Sequence, residues 1–483
     1  MNPFTILHIL GMLLIVIAGM LLFPLGFAVY YGGDDVRAFL ITSQIALFSG
    51  FPLWWTFRKH RQFFLKDGFL IVTLGWIIIS SVSALPFMIH GSIPSFTDSF
   101  FEVMSGYTTT GASILKDIES LPQGLLFWRS MTHFIGGMGI IILTLLVVPL
   151  LGIGNHQLYK VESDPGQENI QLFSRLRQKI IWLWVIYIAL NLALTLLMMA
   201  GGMSLFDALC HAFGTIATGG YSTKNASMAA YNSAYLDWVV AIFMLLGGTN
   251  FIIHYTLLTR NWDYLKSDTE IRYYIGVVVI LCLIIAIVLW HDGTYPSWWE
   301  ALRYGSFQVI SIITTTGFAT ANYDFWPDPA RMIILVSIFI GACSGSTTSG
   351  IRIIQFVIIV KHIRNRIKKL LNPLIIHKIR VNGTTLDDAT LNNVLAFFII
   401  NLFYVLWGGA LLTFLSDMDW WSSWTAVMAT FWNIGPGFGR VGPAENFNHI
   451  SIAGKWFLSF SMMLGRLDIF TVMILFYPSF WKK

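Results

Sequence analysis

Four clusters of threonine and glycine carry the chemistry open to this chain. They are Thr108-Thr109-Thr110-Gly111, Ala217-Thr218-Gly219-Gly220, Thr314-Thr315-Thr316-Gly317 and Asn433-Ile434-Gly435-Pro436. The shared glycine recurs at 111, 220, 317 and 435, roughly a hundred residues apart each time. Glycine admits the positive-φ backbone that a short non-helical strand needs, and threonine offers a hydroxyl ligand and a stiff β-branched wall. Four such strands around one axis can aim stacked rings of carbonyl oxygens at a hard, potassium-sized cation and replace its hydration shell. Thr109, Thr110, Gly111, Thr218, Gly219, Gly220, Thr315, Thr316, Gly317, Asn433, Ile434 and Gly435 are therefore the candidate ion-binding residues. Helix C-caps would explain the glycines but not the threonines before three of them.

The elements that position these clusters are membrane helices. Of 483 residues, 56% are hydrophobic and 11% charged, against about 25% charged in a soluble domain. That excludes an ordinary soluble enzyme, because so much apolar surface must face lipid. Ten segments reach the roughly 20 apolar residues a span requires: 4–31, 36–57, 68–90, 125–151, 178–201, 236–259, 272–292, 331–361, 391–415 and 453–478. The first is nearer a full span than a signal-peptide core and is expected to be retained. Four shorter stretches, 96–108, 204–217, 297–315 and 419–433, end at the four clusters and are expected to re-enter the membrane, since backbone that is not helical survives at that depth only where protein or a water-filled cavity surrounds it. The expected fold is an all-α polytopic membrane protein of ten transmembrane helices. A two-helix leader (1–60) precedes four pseudo-repeated units of helix, pore helix and helix (61–165, 166–265, 266–385 and 386–483) around one pore.

Charge placement fixes the expected sidedness. Most of the thirty Lys and Arg fall on one side: Arg58, Lys59, Arg61 and Lys66; Lys160, Arg175, Arg177 and Lys179; Arg260, Lys266 and Arg272; Lys361 to Arg380; Lys482 and Lys483. The positive-inside rule makes that side, and both termini, cytoplasmic. A net charge of +5 spread over membrane-flanking loops gives no nucleic-acid face; the basic 361–380 and 155–180 segments are expected to touch anionic lipid. The outer loops carry acids such as Asp117, Glu119, Asp324 and Glu445, which raise local cation concentration. Asp98, Asp207 and Asp417 are expected to cap the short helices, and Glu102 to hold the first filter loop through backbone hydrogen bonds.

Two further features lie within spans. The eighth is interrupted by 341–350, where Gly345, Ser346, Thr347, Thr348 and Gly350 are poor helix formers, so a broken helix is expected of the kind that accompanies ion sites. Arg466 sits inside the tenth, where an ionisable group normally meets a partner or a cavity. It is expected to project into the pore below the clusters as a fixed positive barrier, the alternative being an ion pair with Asp468. Arg352, near an inner end, is expected only to snorkel.

The pattern resembles the superfamily of Trk, Ktr and HKT potassium transporters, most closely its bacterial TrkH/TrkG branch. The likeness runs through the leader, 96–113, Phe134 to Ile140, Gly341 to Arg352, Asn433 to Gly439 and Gly465-Arg466-Leu467. It implies that Gly111, Gly220, Gly317 and Gly435 form a selectivity filter, that the 341–350 segment is a gate beneath it, and that the chain takes up potassium across a bacterial inner membrane. It also implies homodimerisation and control by a cytosolic nucleotide-binding subunit, a TrkA-like ring. Ala217-Thr218 before the second glycine pair, and Thr347-Thr348-Ser349 where the gate is usually richer in glycine, are departures. Sodium/potassium symport or non-selective monovalent transport is the rival reading.

No enzyme is expected. Gly437 to Gly442 matches GxGxxG but follows a short membrane helix and not a strand. His8, His90, His133, His211 and His254 form no evident pairs and are expected to pack singly, and Cys210, Cys282 and Cys343 suggest neither disulfide nor metal site. The one small ligand expected is the transported potassium ion; no organic cofactor is called for.

Overall fold

The computed structural model describes residues 1–59, 64–147, 168–260, 267–372, 379–382 and 384–482. Arg61, Lys160, Lys266, Lys378 and Lys483 lie outside the described residues, as does the end of the fourth expected span. Long apolar helices dominate. Among the described residues six have the length and composition to cross a membrane: Pro3–Tyr31, Val36–Phe57, Lys66–His90, Ile180–Ala200, Thr269–His291 and Asp388–Leu415. The leader helices approach closely at Gly11 and Gly50, where a Cβ on either would meet the other's carbonyl oxygen at 2.8 Å.

The helix that follows the second, third and fourth clusters departs from a straight span, whereas the one after the first, Gln123–Val147, is continuous. Ala234–Gly247 and Phe251–Leu258 meet at 97°, and Ile452–Leu467 and Ile469–Phe476 at 113°. Asp328–Phe339 and Ile353–Leu371 are separated by the expected break. The first two differ from the single spans expected at 236–259 and 453–478. The bends follow from Gly247-Gly248-Thr249-Asn250, where Asn250 caps the following helix by accepting from Ile252 N–H at 2.8 Å, and from Asp468, which takes φ +64°. A two-residue antiparallel ladder, Arg380–Val381 with Thr384–Thr385, adds to the all-helical expectation.

The short stretches are helices: Phe96–Tyr107, Leu205–Ile216, Trp298–Ile313 and Trp420–Phe431. Each starts on a capping oxygen, from Ser95, Ser204, Ser297 and Asp419. Asp98, Asp207 and Asp417 are therefore not the caps. Asp98 pairs with Lys455 at 2.6 Å, Asp207 accepts from Thr223 Oγ1 at 2.5 Å, and the main-chain oxygen of Asp417 accepts from Arg440.

Candidate functional site: a ring of four glycine strands

Each short helix ends the same way. The main-chain N–H two residues beyond its cap reaches back five residues: Thr110 to Ser105 O, Gly219 to Gly214 O, Thr316 to Ser311 O and Ile434 to Ala429 O, at 2.7–2.8 Å. This is the closing bond of a Schellman turn, which requires a left-handed residue. That residue is Thr109, Thr218, Thr315 and Asn433, with φ of 50, 54, 51 and 53°. A β-branched residue rarely adopts this conformation, so three of the four turns store strain of the kind found at functional sites.

The glycines follow two residues later with φ of 83, 76, 81 and 99°, and they touch one another in a closed cycle. A Cβ on Gly111 would strike the Gly219 carbonyl oxygen, one on Gly220 that of Thr316, one on Gly317 that of Ile434, and one on Gly435 that of Thr110. Four carbonyl oxygens thus stand against four glycines with no room for a side chain. An oxygen-only set of this kind is the chemistry that a dehydrated cation requires. Thr109, Thr110, Thr218, Thr315, Thr316, Asn433 and Ile434 are all buried beside this ring.

Buried polar links hold the strands. Glu102 is 1% exposed; it accepts from Ser113 Oγ at 2.9 Å, Ile114 N–H at 2.9 Å and Arg129 Nε at 2.6 Å, the buttress expected of it. Arg129 also donates to Ser222 O at 2.9 Å and stacks on Tyr221, whose hydroxyl donates to Glu102 O, so the first and second strands share one network. Arg303 joins Asp237 at 2.7 Å, Gly439 N–H donates to Asp324 at 3.2 Å, and Lys455 joins Asp98. These contacts tie the elements around the second and third, third and fourth, and fourth and first strands.

The 341–350 segment lies directly against the same threonines. Thr218 Oγ1 donates to Thr347 Oγ1 at 3.2 Å, and Ser349 N–H to Thr315 Oγ1 at 3.3 Å. Gly345 and Gly350 have φ of 72 and 84°. Ser346 Oγ bonds Cys343 O and Thr348 Oγ1 at 2.6 Å each. The bend at 248–250 grips the segment from the other side through Cys343 N–H to Gly248 O at 3.0 Å and Phe251 N–H to Gly345 O at 3.1 Å. Glu270, buried at the start of Thr269–His291, accepts from Ser344 N–H at 2.7 Å.

Arg466 reaches this segment and not Asp468. Its Nη1 donates to Thr347 O at 2.6 Å and Ser349 Oγ at 3.2 Å, and its Nη2 to Gly136 O at 3.2 Å. Asp468 instead faces Arg352 at 3.7 Å, so Arg352 does more than snorkel. His8, His90, His211 and His254 each have a hydrogen-bond partner, whereas His133 has none on either ring nitrogen. The three cysteines are buried and free.

Sequence reasoning missed Asn250, Glu270 and the double role of Arg129. Asn250 carried a signal in its Gly-Gly-Thr-Asn context. Glu270 carried a weaker one, as an acid at the inner end of an otherwise apolar span.

The TrkH family model, described as a cation transport protein, matches residues 36–483. The chain is 37% identical to the Trk system potassium uptake protein TrkH of Escherichia coli strain K12 over 99% of both. It is 33% identical to TrkG of that strain, again over 99% of both. The crystal structure of the potassium transporter TrkH from Vibrio parahaemolyticus superposes with a TM-score of 0.90 at 34% identity, covering all of both chains.

Proposed function

The chain belongs to the TrkH family of cation transport proteins, and from that premise we propose that it takes up potassium through a filter formed by Gly111, Gly220, Gly317 and Gly435 with the residues before them. It is a multi-pass membrane protein and a transporter, not an enzyme. The observation that carries the filter reading is the closed cycle in which each glycine abuts the carbonyl oxygen of another strand. Carbonyl dipoles held at fixed separation replace the water of a potassium ion and fit a smaller ion less well. Potassium is the cargo, and the acids of the outer loops gather it at the mouth.

The remaining parts take their roles from where they touch this ring. The segment holding Gly345, Ser346, Thr347, Thr348 and Gly350 blocks the inner end as a gate. Arg466 fastens it and places a positive charge on the cation path. Opening requires those bonds to be exchanged. A cytosolic regulatory ring acting through the basic 361–380 stretch is the partner this reading calls for, together with a second copy of the chain and anionic lipid at the inner face.

The same reading gives ten spans with both termini in the cytoplasm, a leader at 1–60 and pore units at 61–165, 166–265, 266–385 and 386–483. Rubidium uptake into liposomes against potassium and sodium gradients tests it. Potassium-selective uptake supports the filter; equal passage of sodium would favour non-selective cation transport.

A further inference from the structure

The second filter strand is built differently from the others. In the first and third, two threonine hydroxyls tie the helix end to the residue before the glycine: Thr108 Oγ1 lies 2.8 Å from Thr110 Oγ1, and Thr314 Oγ1 2.8 Å from Thr316 Oγ1. In the fourth strand the same two positions hold Trp432 and Ile434, both buried. In the second they hold Ala217 and Gly219, which supply neither hydroxyl nor bulk.

The missing volume comes from another element. His133, on the helix Gln123–Val147, fills the space behind Gly219, so that a Cβ there would fall on the Nδ1, Cε1 and Cγ atoms of its ring. The ring is fully buried and stacks on Tyr221 with centroids 4.1 Å apart. Neither nitrogen makes a hydrogen bond, although leaving a buried polar group unpaired costs about 1–3 kcal/mol. No polar bond accounts for the residue; it lies against the Gly219 backbone and the Tyr221 ring.

We infer that His133 is a positioning residue for selectivity, the wall that the second strand lacks in its own sequence. The inference rests on the four-strand filter reading. Gly219 contributes the carbonyl oxygen that abuts Gly111, and close-packed surroundings hold such a group in place. With the ring removed, the strand gains room to shift and its oxygen can follow a smaller ion.

The test compares wild type, His133→Ala, His133→Ala with Gly219→Thr, and Gly111→Ser. Rubidium and sodium uptake are measured in liposomes, and unfolding midpoints in potassium and in sodium chloride cover any variant without flux. His133→Ala is expected to lower the rubidium-to-sodium preference about tenfold, or ~1.4 kcal/mol. The double variant, with a threonine where Thr110 and Thr316 stand in the other strands, is expected to recover most of that loss. A His133→Ala protein with wild-type preference, or a double variant no better than the single, overturns the inference while a sodium-permeable Gly111→Ser leaves the filter reading standing. An indifferent Gly111→Ser overturns both.

Discussion

Arg466 donates from Nη1 to the main-chain oxygen of Thr347 at 2.6 Å, so a charged side chain of the helix Ile452–Leu467 is fastened to the segment between Asp328–Phe339 and Ile353–Leu371. Bonds from a charged donor contribute about 1.5–3 kcal/mol each. Arg466→Ala removes three of them together with a positive charge on the proposed cation path. Basal rubidium flux is expected to rise about tenfold. Arg466→Lys, which keeps the charge but not the two-pronged geometry, should fall between. Unchanged flux in both would remove Arg466 from the gate.

Glu270 holds the opposite end of the same segment by accepting the Ser344 N–H. Glu270→Ala leaves that amide without its acceptor at a cost of about 1–3 kcal/mol, and leak in the absence of any partner should increase. Glu270→Gln keeps an acceptor oxygen and should behave as wild type. Equal leak in the two variants would show that the carboxylate charge, and not the hydrogen bond, matters.

Glu102 and Arg129 form a buried pair at 2.6 Å with 1% and 3% exposure. Breaking such a pair from one side leaves an uncompensated buried charge and costs about 3–5 kcal/mol. Glu102→Gln is therefore expected to lower the unfolding midpoint of the purified protein, and to loosen the first and second strands together because Arg129 also holds Ser222 O. A midpoint unchanged from wild type would contradict the network.

Asp324 lies in an outer loop, where burial raises its carboxyl above the ordinary value while the Gly439 N–H bond partly offsets this. A carboxyl with a raised folded-state value is favoured in its protonated form. Its contribution to stability is fully present below the unfolded value near 3.8 and is lost as pH rises through the higher folded one. Asp324→Asn keeps an acceptor for Gly439 and removes the titration, so it should unfold no lower than wild type at neutral pH and show less pH dependence in the acid range. A lower midpoint at pH 7 would mean that the negative charge is needed there.

Much of this was legible in the sequence, for reasons that differ by element. The four short helices and their glycines stood out because the turn after each demands a left-handed residue and then a side-chain-free one, and few sequences satisfy both at the same spacing four times. The break at 341–350 was legible because glycine and small polar residues crowd an apolar run. The bend at 247–250 carried a signal in its Gly-Gly-Thr-Asn run that the apolar residues on both sides outweighed, and the bend at Asp468 was not legible because a left-handed residue is not marked by its type alone. The caps were misassigned to Asp98 and Asp207 although Ser-x-x-Asp, with serine as the cap, is the pattern at both helix starts. Contacts between distant residues, such as Arg352 with Asp468 and His133 with Gly219, leave no local trace.

The central claim is that the glycine cycle selects potassium, and Gly111→Ser probes it most directly. At φ +83° a side chain is strained, and its Cβ would meet the Gly219 carbonyl oxygen, forcing the ring to widen or tilt. Rubidium uptake into liposomes, competed with potassium and with sodium, should be potassium-selective for wild type and should admit sodium once Gly111 is serine. Identical ion preference in the two proteins, with the variant folded and active, would contradict the account.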